Sequence, residues 1–301
     1  MKFIPTTMLA LILAGASVAQ AAPDAEKTTP SEQESLAMAA LEGLISQPPE
    51  RALPILKKVL AGNQTDAVKR RALFVLAQVG GPEAHDILLQ AARSNGELRA
   101  EAIRNIGIGG DPKTIDALLD IYKTGDAQTK KHIMEAWLIA GRKETVFQVA
   151  VAAKSEDEAA EAIRLLGVMG ATEELRKLAD KPFGKGKLVE AYALSGDLDS
   201  LVKIIGSDAD KSVRLDAVRK IGIIRGDGPH RALREIYTKT TDAEIKDAAL
   251  QGMLISGDDQ GVLELYRVAK TTDEKRALLR MLSMMDSDAA LKAIDQTLEN
   301  K

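Results

Sequence analysis

Cysteine is absent from this 301-residue sequence. That excludes disulfides, thiol nucleophiles and a lipid anchor carried on an N-terminal cysteine. Aromatic residues make up only 3% of the chain, with a single tryptophan, so stacking platforms for single-stranded nucleic acid are lacking. A basic surplus is missing too: 41 Lys and Arg stand against 44 Asp and Glu, and removing Lys2 with a leader leaves 40 against 44. Such a balance gives no electrostatic attraction to a phosphate backbone, so nucleic acid is not an expected partner. The three histidines, His85, His132 and His230, never stand at helical i, i+3 or i, i+4 spacing, and none precedes a glutamate. A metal site of helical His pairs is therefore not expected, nor is any cofactor.

Long hydrophobic runs are also missing. The apolar stretch from Met8 to Ala14 is too short to cross a hydrocarbon core of about 30 Å. It lies between Lys2 and the small residues Ala19 and Ala21, which is the layout of a signal peptide over 1–21 with cleavage after Ala21. Export to the periplasm or beyond, without a stable membrane anchor, is the expectation. Residues 22–33, rich in Ala, Pro, Thr, Glu and Asp, read as a disordered linker. The domain of interest is then 34–301.

What is present is a repeat. Ala72, Ala102, Ile133, Ala162, Leu188, Ala217, Ala249 and Leu278 sit mid-helix at spacings of 30, 31, 29, 26, 29, 32 and 29. Eight residues past each anchor come Gly80, Gly110, Gly141, Gly170, Gly196, Arg225 followed by Gly226, Gly257 and Asp286. Glycine where apolar periodicity stops is the residue that ends a helix in the left-handed conformation. Turn and start signals follow, such as Gly81-Pro82, Asp111-Pro112, Asp227-Gly228-Pro229 and Ser287-Asp288. Second helices with 3/4 spacing come next, as in Ile115, Leu118, Leu119 and Tyr122, or Leu198, Leu201, Val202 and Ile205, or Leu233, Ile236 and Tyr237.

Two more columns run through the units. Three residues before the anchor, Lys69, Arg99, Lys130, Lys185, Arg214, Lys246 and Lys275 are cationic, with Ala159 the exception. Five residues after it, Ala77, Gly107, Gly167, Ala193, Gly222 and Ser283 are small, which would let the two helices of one hairpin approach closely; Leu138 and Leu254 are the exceptions. An irregular first hairpin is expected from Leu36, Ala39, Ala40, Leu41 and Leu44, then Pro48-Pro49, then Leu53, Ile55, Leu56, Val59 and Leu60. A hairpin of about 30 residues cannot bury its apolar stripe alone, so neighbours must stack. The fold class is all-α: an α-solenoid of about nine helical hairpins.

The segments DADKSVRLDAVRKIG from Asp208 and GELRAEAIRNIG from Gly96 resemble HEAT repeats of the short type found in phycobilisome lyases, here in a chain with an export leader. The resemblance covers roughly 34–298. It implies first helices on the convex side, second helices lining the concave one, and the cationic column paired with acids of an adjacent repeat.

Catalytic chemistry is hard to assemble from these residues. Gly107-Ile108-Gly109-Gly110-Asp111-Pro112-Lys113-Thr114 has the outline of a phosphate loop, but Pro112 stands where a glycine amide must give a hydrogen bond, and helix termination explains the glycines. Glu156, Asp157, Glu158 and Glu161 fit a helix start, where carboxylates complement the dipole; Asp258-Asp259 has no alternating oxygen ligands for calcium. Met281, Met284 and Met285 with Trp137 are expected in the core more than in a contact patch. Between Ala162 and Leu188 the period shrinks, and Pro182-Phe183-Gly184-Lys185-Gly186-Lys187 predicts a shortened first helix or a bend.

The expected function is a non-enzymatic scaffold or adaptor that binds a protein or peptide partner on the concave face. Its candidate partner-binding residues lie opposite the apolar stripes of second helices: Asp116, Asp120, Gln148, Arg231, Glu235, Gln260 and Glu264. The resemblance supplies the alternative, a lyase or enzyme-accessory subunit like the phycobilin lyases, and export counts against it.

Overall fold

The computed structural model describes residues 31–181, 185–285 and 287–299. The leader over 1–21, residues 22–30 of the linker, Pro182–Gly184 and Asp286 lie outside the described residues. Eighteen helices and no strand occur among those described, paired in order as nine hairpins. They are α1 (Glu32–Glu42) with α2 (Pro49–Ala61), α3 (Asp66–Val79) with α4 (Pro82–Arg93), α5 (Arg99–Gly109) with α6 (Pro112–Thr124), and α7 (Ala127–Ile139) with α8 (Lys143–Ala152). Then come α9 (Glu156–Val168) with α10 (Thr172–Lys177), α11 (Lys185–Ser195) with α12 (Leu198–Ile205), α13 (Lys211–Ile221) with α14 (Asp227–Lys239), α15 (Ala243–Ser256) with α16 (Asp259–Val268), and α17 (Thr272–Leu282) with α18 (Asp288–Glu299). The chain is an all-helical, HEAT-like α-solenoid.

The helix ends follow the sequence signals. Gly80, Gly110, Gly141, Gly170, Gly196 and Gly257 take φ between 62° and 77°; where Arg225 stands in the column, α13 ends earlier with Gly222 as its cap, and Gly226, at φ 110°, opens α14. Helix starts are capped by short polar side chains: Asp111 accepts from the Thr114 amide at 2.8 Å, Asp126 from Thr129 at 2.7 Å, and Ser155 from Glu158 at 3.2 Å. The phosphate-loop outline is thus the end of α5 and the start of α6. The acidic run at 156–158 is the first turn of α9.

The anchors are fully buried, and a continuous core of Leu, Ile, Val and Ala runs from Leu41 to Ala290. Each wholly buried leucine or isoleucine contributes roughly 1.5–3 kcal/mol by leaving water, which is why stacking is obligatory. Trp137 and Met285 are in that core, whereas Met284 is exposed.

Several expectations need correction. Helix α1 begins at Glu32 with Ser31 as its cap, so residues 31–33 belong to the first hairpin and not to the linker. Its buried side chain is Leu41; Leu36, Ala39 and Ala40 face solvent, and Ala37 and Met38 pack inward instead. Val202 and Ile55 are likewise exposed. In the short unit, the first helix α11 keeps eleven residues and the missing length comes out of second helix α10, which has six.

The small column acts between hairpins, not within them. A Cβ at Gly107 would stand 2.8 Å from the Ala136 carbonyl oxygen, and one at Gly167 would stand 2.8 Å from Ala191 Cα. A Cβ at Gly222 would overlap the backbone of Gly252. Each pair joins one first helix to the next, so first helices meet backbone to backbone while successive second helices touch sparsely. The layer with the shorter repeat-to-repeat spacing lies on the inner side of a curved stack. Closer packing from hairpin to hairpin makes the first helices the inner layer of any curvature of the stack, the reverse of the arrangement implied by the resemblance.

Candidate functional site

The seven residues singled out on second helices are all exposed, as their spacing required. They do not converge. Asp116 accepts from Arg142 of the next hairpin at 2.6 Å, Glu264 from Arg234 of the preceding one at 3.2 Å, and Glu235 is held by Lys239 on its own helix. Gln148 donates to Glu144 at 2.9 Å and also borders a groove of about 320 Å³ beside Tyr122. Asp120 borders a separate groove near Arg99, and Gln260 another near Lys292. Arg231 stands exposed on α14. By the packing above, this surface is the outer layer.

That outer layer carries its own ladder, which sequence reading missed. At three second helices the capping aspartate is met by a basic side chain from the previous second helix. Asp197 caps α12 and receives Arg176 of α10 through two bonds of 2.8 and 2.7 Å, while the Ser200 hydroxyl donates at 2.6 Å. Asp111 has His85 at 3.5 Å, and Asp258 has His230 at 3.8 Å and Arg234 at 3.9 Å. Burial alone would push the Asp197 carboxyl up; Arg176 and Ser200 outweigh it and hold it below the usual carboxylate range.

The inner layer carries a surface absent from the sequence expectations. Six residues past the anchors stand Ile108, Ile139, Val168, Leu194, Ile223, Ile255 and Met284, all large, apolar and between 39% and 61% exposed. They form one apolar ridge, one side chain per hairpin over seven consecutive hairpins, at the C-terminal ends of the first helices. Only Gln78 in α3 breaks the column. One turn earlier on the same face, as i, i+4 spacing dictates, stand Arg104, Glu135, Arg164, Glu190 and Arg219, a flank that alternates in sign. The ridge was findable in the same alignment that yielded the glycines.

The inner layer is tight at every joint except two. At α7/α9 and α15/α17 the small column carries Leu138 and Leu254, and there the first helices touch sparsely, so that α9 and α17 meet the preceding hairpin mainly through α8 and α16. Both joints have the same clasp. Lys130 bonds Glu158 at 2.9 Å and lies over the Tyr122 ring at 5.0 Å, and the Tyr122 hydroxyl donates to Glu158 at 3.0 Å. Lys246 bonds Glu274 at 3.3 Å and lies over the Tyr237 ring at 4.9 Å. Burial and the facing Glu158 push the Tyr122 phenol far up, while Lys130 and the Lys154 amide draw the Glu158 carboxyl down. Burial and Glu274 push the Tyr237 phenol up to about 12. The first joint encloses a cleft of about 600 Å³ bordered by Lys131, Met134, Glu161 and Arg164.

Of the cationic column, Lys130, Lys246 and Arg99 reach acids of the next hairpin, the last at 3.9 Å from Asp126. Lys69, Arg214 and Lys275 form no ion pair among the described residues, so the column is only partly a pairing device. No group of three metal-ligating side chains comes together among the described residues, and none of their helices is long and apolar enough to cross a membrane.

Residues 53–136 match the family described as HEAT repeats. No curated protein matches the chain. Among solved structures, the complex of CpcE and CpcF of phycocyanin lyase from Nostoc sp. PCC7120 is similar at 15% identity, over 93% of this chain and 98% of that chain, with a TM-score of 0.27.

Proposed function

We propose that this stack of HEAT repeats is an exported, non-enzymatic scaffold that holds a protein or peptide partner along the inner, first-helix face. The observation that carries this reading is the apolar ridge. Single exposed apolar side chains are ordinary, but seven in strict register along one face, one per hairpin, support an interaction surface there. The outer-layer residues named from the sequence are engaged with neighbouring repeats or lie scattered, so they are assigned a lesser part.

The reading is tested with a photo-crosslinking residue placed in turn at Ile139, Ile223, Asp120 and Glu235 of the full chain in its native cells. The two ridge positions are expected to capture the same protein and the two outer positions not to. Capture from the outer positions alone overturns the face assignment. Export is tested on the purified native protein: an N-terminus at Ala22 is expected, and a retained Met1 contradicts it.

A further inference from the structure

We infer that the occupant of the ridge is an amphipathic helix of a partner protein, laid across the first helices, with one apolar residue per heptad and flanking charges that alternate between acidic and basic from one heptad to the next. This inference rests on the inner-face reading above and names the chemistry of its partner.

Two features of the face select that chemistry. The first is spacing. Packed helices stand about 8–10 Å apart, so the ridge offers one apolar side chain at about that interval. Seven residues of an α-helix advance about 10.5 Å and return to nearly the same face. An extended strand repeats a face about every 6.6 Å and falls out of step at once. A helix of about four heptads therefore meets Val168, Leu194, Ile223 and Ile255 in turn, across the joints α9/α11, α11/α13 and α13/α15 where the first helices pack tightly.

The second feature is charge. Beside the first three of those apolar residues, Arg164, Glu190 and Arg219 alternate in sign, and the neutral Gln251 stands beside the fourth. Arg164 is held by Glu161 at 2.7 Å, and Arg219 donates to Gln251 at 2.7 Å, so these two guanidinium groups are fixed in place. A uniformly acidic helix meets a like charge at Glu190 and a uniformly basic one at Arg164 and Arg219, whereas an alternating helix meets an opposite one at each. Like-charge juxtaposition across an interface is the usual device for rejecting wrong partners.

The test uses the full chain and three fluorescent 28-residue helical peptides. Each carries Leu once per heptad; the flanking position is alternately Glu and Lys, all Glu, or all Lys. Fluorescence anisotropy is expected to show the alternating peptide binding at least about tenfold more tightly than either uniform one. Val168→Ser with Ile223→Ser should abolish the binding, with an unchanged circular dichroism spectrum showing that the fold is intact. Arg164→Glu with Arg219→Glu, which makes the flank uniformly acidic, should transfer the preference to the all-Lys peptide. Equal binding of all three peptides overturns the charge assignment, and binding that survives the serine pair overturns the site. If no peptide binds while the serine pair still loses the crosslinked cellular partner, the helix is refuted and the inner-face reading stands. Concentration-dependent self-association that disappears in the serine pair would assign the ridge to a second copy of this chain and overturn the proposal.

Discussion

Gly107, Gly167 and Gly222 owe their identity to a neighbouring helix and not to their own backbone angles. A side chain there must push the next first helix away, and forcing extra methyl groups into a packed contact costs about 1–3 kcal/mol. Gly107→Val is therefore expected to lower the unfolding free energy by that amount. Gly186→Ala is the contrasting case: the nearest atom to a new Cβ, on Val213, is 3.8 Å away, so the substitution should be neutral or stabilise by up to about 1 kcal/mol. Urea titrations of both variants check the pair. The smallness of this column was legible in the sequence, but its partner was not, because intra-hairpin and inter-hairpin packing ask for the same small residue. Arg176 gives the residue-scale prediction in pH. Asp197 titrates below its ordinary range in the fold, so its contribution is complete above the unfolded pKa of about 3.9 and is lost as pH falls through the lower folded value. Arg176→Ala should lower stability clearly at pH 7 and much less near pH 2, which denaturation at both values will show.

At the scale of elements, the two sparse joints are copies of one another. Asp126, Ala127, Lys130, Leu138, Gly141, Lys154 and Glu158 recur 116 residues later as Asp242, Ala243, Lys246, Leu254, Gly257, Lys270 and Glu274. Four hairpins thus form a longer period over the single one, and each period contains one joint where Leu replaces a small residue and a Tyr–Lys–Glu clasp spans three hairpins. Glu158→Gln removes the charge that Lys130 and the Lys154 amide bind. Hydrogen exchange is expected to quicken in α7 and α9 in this variant and to stay unchanged in α3 and α13, since solenoid units couple mainly to their neighbours. Trp137, wholly buried in α7 with its ring 5.2 Å from that of Tyr122, offers an optical readout of the same joint. Leu138 and Leu254 were visible in the sequence as exceptions. What the exceptions do required knowing which helices the column separates. The short unit shows the same limit: its missing residues were countable between Ala162 and Leu188, yet whether α10 or α11 gave them up depended on packing.

For the whole molecule, hairpins, helix ends and the buried stripe were legible because each is written in local spacing. The binding face was not, because polar residues opposite an apolar stripe occur on both layers, and only the inter-hairpin contact says which layer is inside. Asp120 and Glu235 were reached by a sound periodicity rule applied to the outer layer. Ile139 and Ile223 obey the same register on the inner one. The account therefore turns on first helices forming the inner lining. The absence of cysteine allows spin labels at chosen pairs without background: Arg104 with Arg219 on first helices, and Asp116 with Arg231 on second helices, each pair four hairpins apart. Pulsed electron–electron distance measurements on the two doubly labelled proteins are predicted to give the shorter distance for 104–219. A shorter distance for 116–231 would place second helices inside and contradict the account.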